Sequence, residues 1–122
     1  MIDRVLQSLR ALRLHPVEHE FEIHDAMAEQ FRVDGIQFSR EVKLGPGCRV
    51  DFFVHAGGVA VEVKKGKPNR AQLEAQVSRY AAFPDVQAVV MVVERSLFGY
   101  PEKVNGKPVH YVGLNRQWGV AL

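Results

Sequence analysis

The run VQAVVMVV at residues 86–93 carries no charge and a single polar side chain, and it lies between Pro84-Asp85 and Glu94-Arg95. Eight residues suit a strand and fall far short of the roughly 20 needed to span a bilayer. A strand that is apolar at nearly every position must be covered on both faces. The chain therefore has to build a sheet with helices packed against it, and the remaining elements have to be found around that strand.

They are readable in order. Ile2, Val5, Leu6, Leu9 and Leu12 recur at helical spacing and predict an amphipathic helix over about residues 3–14. His15-Pro16 interrupts it, and Pro16 suits the first turn of a second helix over 17–32 that stops at Asp34-Gly35. Ile36, Phe38, Arg40, Val42 and Leu44 then alternate with Gln37, Ser39, Glu41 and Lys43 as in a strand, and Gly45-Pro46-Gly47 turns the chain. Two more strands, 50–54 and 59–64, are joined around residues 55–58. Asn69 is a candidate N-cap for a third helix reaching Ala82. Residues 96–108 read as a loop with an Asn105-Gly106 turn, and a last strand covers 109–114. This order predicts one α/β domain over residues 1–122, a mixed sheet flanked by helices.

Apolar residues make up 47% of the chain and charged residues 25%, which fits a globular domain and not a disordered segment. No apolar run is long enough for a membrane helix, and the opening MIDRVLQSLRALRL is too charged for a signal peptide. Cys48 is the only cysteine, so an intramolecular disulfide is excluded and a reducing, cytoplasmic setting is expected. The formal charge of +2 is only mildly basic. Its distribution says more: Lys64, Lys65, Lys67 and Arg70 fall close together, and Arg40, Lys43 and Arg49 flank the preceding turn.

Pairing Val54 with Val59 brings Phe52 opposite Val61 and Val50 opposite Val63, which makes one hairpin surface wholly apolar. The same register sets Asp51 opposite Glu62 on the other surface. Carboxylates so placed, with Cβ atoms about 5 Å apart, repel unless something neutralises them. Lys64, roughly 7 Å along the strand from Glu62, relieves part of this. A hard divalent cation such as Mg²⁺, which keeps waters and is completed by phosphate oxygens, answers it better. A charged strand face can also be simply the solvent side of a sheet.

On the second helix Glu20, Ile23, Met27 and Phe31 share one stripe, so Glu20 either has a partner near the core or favours the positive helix N-terminus. On the third, Leu73, Gln76 and Tyr80 share a stripe, so Gln76 and Tyr80 either point into one cleft or Tyr80 is a plain core aromatic. His19 and His24 are five apart, about 140° around a helix when zinc-helix histidines are four apart, so no zinc site follows. His55 and His110 read as turn and surface residues, Glu41 as structural or, if the first strand pairs in register, near the site, and Cys48 has no nucleophile's surroundings. Phe98 and Tyr100 read as core cover or a contact surface.

Asp51, Glu62-Val63-Lys64, Glu20 and Gln76-Val77-Ser78-Arg79-Tyr80 together resemble the PD-(D/E)XK nuclease superfamily over about half the chain. Gln76 to Tyr80 is similar to the Q-x-x-x-Y motif of RecB-type members and the Q-x-x-R-Y of phage-type and VRR-NUC-like domains. Glu20 matches the helix glutamate of Holliday-junction resolvases. The residue before Asp51 is Val50 where the family often has proline. The resemblance implies a restriction-endonuclease-like core of helix, three antiparallel strands, helix and strand, with an extra N-terminal helix and C-terminal strand. It implies a Mg²⁺-dependent nuclease hydrolysing DNA phosphodiester bonds, with Mn²⁺ substituting, in a homodimer with a structure-specific or resolvase-like preference. Asp51, Glu62, the Val63 carbonyl and Glu20 would hold the metal, and Lys64 would orient or activate water. Gln76 and Tyr80 would steady the site, while Lys65, Lys67, Arg70, Arg79 and Arg49 would meet DNA. The rival reading is a non-catalytic nucleic-acid-binding or assembly subunit that retains the fold.

Overall fold

A computed structural model describes residues 1–13, 19–66, 68–95, 97 and 99–114. Helices α1 (Ile2–Arg10) and α2 (Glu20–Val33) precede strands β1 (Ser39–Gly45), β2 (Cys48–Val54) and β3 (Val59–Lys64). Helix α3 (Arg70–Ala81), β4 (Ala88–Val93), the two-residue β5 (Lys103–Val104) and β6 (Lys107–Gly113) follow. The strands form one mixed sheet in the order β1-β2-β3-β4-β6-β5. β1, β2 and β3 are antiparallel neighbours, whereas β3, β4 and β6 run parallel. No helix among the described residues is long and apolar enough to cross a membrane.

β4 is central and buried at every position. Ala88, Val90 and Val92 pack with α1, α2 and Val59, Val61 and Val63 of β3 on one side. Val89, Met91 and Val93 pack with Leu73, Val77 and Tyr80 of α3 on the other. The unbroken apolar run thus serves two cores of opposite direction, as its composition requires.

The element boundaries differ from the sequence reading in instructive ways. α1 stops at Arg10, not Leu14, because the chain tightens: the Leu12 N–H donates to Leu9 and the Arg13 guanidinium donates to the carbonyls of Arg10 and Leu12. Leu14, the His15-Pro16 break and the expected start of α2 at Val17 lie outside the described residues; α2 is seen from Glu20, with His19 as its N-cap. Asn69 caps α3 as expected, its Oδ1 accepting from the Gln72 N–H at 3.1 Å. Asn105 and Gly106 both adopt positive φ and fold the expected loop's end into a β5–β6 hairpin.

The β2–β3 register is the expected one, with Val54 opposite Val59 and Phe52 opposite Val61. Gly58, at φ +61°, closes this hairpin and its carbonyl accepts from the Gln87 N–H at 2.7 Å, which ties the turn to the entry of β4. Beyond Phe52 the reading fails. Val50 does not join the apolar surface of Phe52 and Val54; it is buried with Phe53 against α3, on the opposite side of the sheet. Side-chain parity therefore slips at Asp51. The neighbouring strand slips in step: Phe38 packs on the α2 side and Val42 and Leu44 on the α3 side, with Glu41 between them at φ +52°. A left-handed non-glycine residue costs about 1–2 kcal/mol, and such distortions concentrate where a strand has to re-aim a side chain.

Candidate active site

The slip at Asp51 decides what the two carboxylates do. The β2–β3 ladder ends at Phe52 and Val61, and past it the side chains take over the hydrogen bonds the backbone has given up. The Asp51 N–H donates to Glu62 Oε1 at 3.0 Å, and the Val63 N–H donates to Asp51 Oδ2 at 2.8 Å. Each acid thus engages backbone of the other's strand, and the two carboxylates converge in the opening between β2 and β3. N–H and C=O of one residue point to the same side of a strand, so the Val63 carbonyl faces this opening too.

Glu62 is buried, its side chain 9% exposed, and held from α3. Gln76 Nε2 donates to Glu62 Oε2 at 2.8 Å, and the Tyr80 hydroxyl lies 2.9 Å from the same oxygen. The hydroxyl also lies 3.1 Å from the Arg49 carbonyl and accepts from Gln76 Nε2 at 2.9 Å. Having one proton, it serves Glu62 or Arg49 at any moment. Burial, with Glu62 beside it, pushes Tyr80 far above the ordinary tyrosine range, so it remains a donor at any physiological pH. Gln76 and Tyr80 thus do share one cleft, as their spacing of four allows.

Burial first, and the negative charge of Asp51 second, push Glu62 up from 4.5 to about 7. Lys64 Nζ stands 3.8 Å from Glu62 Oε2, half-buried and too distant for a tight pair. The site therefore holds two converging acids that the protein's own cation only partly offsets.

Glu20 opens α2 at its N-terminus, one of the two positions expected for it. Its carboxylate accepts the Lys65 N–H at 3.3 Å, at the exit of β3. Glu94, at the end of β4, accepts the Gly66 N–H at 2.6 Å. Two acids from separate elements thus pin the segment that follows Lys64. Among the described residues no three His, Cys, Asp or Glu side chains converge closely enough to hold a metal by themselves. The three-carboxylate set is not assembled, because Glu20 serves backbone two residues beyond the Val63 carbonyl.

Of the expected DNA-contacting cations, Lys65, Arg49 and Arg79 are exposed. Arg70 is engaged: it donates to Glu74 at 3.0 Å and to the Gly99 carbonyl at 2.6 Å, and stacks over Tyr100. Lys67 and Phe98 lie outside the described residues. Tyr100 covers Tyr111, a core role. Cys48 is buried and its thiol is pushed up by that burial, which leaves it inert.

The sequence weighs His24 only as a zinc-helix histidine, and the structure sets it beside Asp51. Its Nε2 lies 3.5 Å from Asp51 Oδ2, buried and without a completed hydrogen bond, and its ring packs edge-on against Phe52. The signal was present: His24 follows Glu20 by four residues and so shares its helix face. Glu94 gave no signal, because only the folding of β4 beside β3 brings it to Gly66. No protein-family model, curated protein or solved structure matches the chain.

Proposed function

We propose that this chain is a Mg²⁺-dependent nuclease of restriction-endonuclease-like fold that hydrolyses DNA phosphodiester bonds. One observation carries the reading. Asp51 and Glu62 converge where the β2–β3 ladder opens, with Lys64 beside them and with α3 side chains holding Glu62 in place. A structural role would favour pairing or removing these charges, because burying an uncompensated acid is costly.

The donor set fits Mg²⁺, which needs only one or two carboxylates and completes its shell with water and phosphate oxygens. Asp51, Glu62 and the Val63 carbonyl would hold it, and the elevated affinity of Glu62 for a proton marks the negative charge that a cation would offset. When bound, Mg²⁺ supplies positive charge against phosphoryl oxygens and acidifies water. The other steps belong to side chains. Gln76 and Tyr80 fix the Glu62 carboxylate by donating to one of its oxygens, which leaves the second toward Asp51. Lys64 orients the attacking water and balances charge on the phosphate. Glu20 and Glu94 hold the backbone after Lys64, so the ammonium is presented from a fixed strand end. Exposed Lys65 and Arg49 are available to DNA phosphates.

The test incubates the purified protein with branched, single-stranded and duplex DNA in Mg²⁺ or EDTA. Cutting in Mg²⁺ alone is expected, abolished in Asp51→Ala and Lys64→Ala while both stay folded by circular dichroism. Binding without cutting of any substrate would overturn the enzymatic reading in favour of a binding or assembly subunit.

A further inference from the structure

Lys43 of β1 and Arg49 of β2 are direct cross-strand partners. Like charges set opposite each other repel, and sheets normally place an acid between them or avoid the pairing. Here both side chains are exposed, and neither makes an ion pair among the described residues. Their neighbours Val42, Leu44, Cys48 and Val50 all pack toward α3. By strand alternation, Lys43 and Arg49 therefore take the other side of the sheet, the side from which His24 of α2 meets Asp51.

The slip at Asp51 creates this arrangement. An unbroken strand would carry Val50 with Phe52 and send Arg49 to the α3 side; the break turns Arg49 and Lys43 onto the side of the sheet where His24 of α2 meets Asp51. Arg49 stands two residues from Asp51, about 7 Å along the strand. One strand of duplex DNA carries a phosphate about every 3.4 Å of axis. A phosphate held at the acids thus has a neighbour within reach of the paired cations.

We infer that Lys43 and Arg49 form a seat for a DNA phosphate adjacent to the one attacked, so that the substrate strand runs from Asp51 along β2 toward the β1–β2 turn, on the α2 side of the sheet. This rests on the nuclease reading and adds a path to it. Arg79, on α3 beside Cys48, then lies off that path.

The test measures binding of a fluorescein-labelled duplex by anisotropy in EDTA, with KCl varied from 50 to 300 mM, for wild type, Lys43→Ala/Arg49→Ala, Lys43→Gln/Arg49→Gln and Arg79→Ala. Each lost phosphate contact should reduce the slope of log affinity against log salt by about 0.9. With one phosphate lost, both double variants are expected to bind several-fold more weakly at low salt with a slope shallower by about 0.9, and Arg79→Ala to keep the wild-type slope. If wild type binds but the double variants retain its slope, or if Arg79→Ala alone loses it, the seat and path are overturned while the nuclease reading stands. If wild type binds no duplex, single-stranded or branched DNA at 50 mM KCl, the nuclease reading falls and the seat falls with it.

Discussion

The two acids make their own thermodynamic prediction, independent of any substrate. Burial and Asp51 raise the Glu62 pKa from 4.5 to about 7. Each tenfold change in proton affinity is worth about 1.4 kcal/mol, so holding Glu62 ionised in the fold costs about 3 kcal/mol. Because the folded value is raised, the fold binds the proton more tightly than the unfolded chain does. Stability is therefore complete below about pH 4.5, falls as pH climbs toward 7, and stays reduced above it. Glu62 is buried, so solvent does not dilute the effect. Urea unfolding in EDTA should show wild type losing about 2–3 kcal/mol through this group between pH 5 and pH 8.5. In Glu62→Gln, which keeps the shape and cannot ionise, that component is absent, and the variant should equal or exceed wild type in stability at pH 8.5. Mg²⁺ at a hundred times its dissociation constant should then add about 2.7 kcal/mol to wild type at pH 8.5 and nothing to Glu62→Gln. Parallel pH profiles for the two proteins would refute the argument that Asp51 and burial load this carboxylate. Equal stabilisation of both by Mg²⁺ would refute its role as a ligand.

Tyr80→Phe removes the hydroxyl that serves Glu62 and the Arg49 carbonyl, and thermal melts should place the loss at about 1.5–3 kcal/mol at pH 8.5 and smaller at pH 5, where Glu62 is neutral. Glu94→Ala frees the Gly66 amide, so hydrogen exchange there should accelerate at least about tenfold, with global stability little changed. Gly58→Ala places a Cβ 2.6 Å from the Asp85 carbonyl at a positive φ; chemical unfolding should show a loss greater than the roughly 1–2 kcal/mol of the left-handed conformation alone.

What the sequence determined by itself is the set of elements and their order, the short β5 apart. The run at 86–93 demanded cover on both faces, Asn69 marked the start of α3, and valine matching set the hairpin register from Phe52 to Val61. These follow from local periodicity and capping, which each segment carries alone. Spacing also brought Gln76 and Tyr80 together on α3. Tertiary structure decided the rest. The alternation of residues 36–44 and of 50–52 reads on through Glu41 and Asp51 as text, yet both strands reverse their parity there, because two cores on opposite faces compete for their apolar side chains. That reversal moves Val50 to the α3 side, opens the ladder at Asp51 and turns the Lys43–Arg49 pair to the α2 side. The place of His24 beside Asp51, of Glu20 at Lys65 and of Glu94 at Gly66 depends on how α2 and β4 pack against β3. Such contacts join residues far apart in the chain, and no periodicity within one segment encodes them.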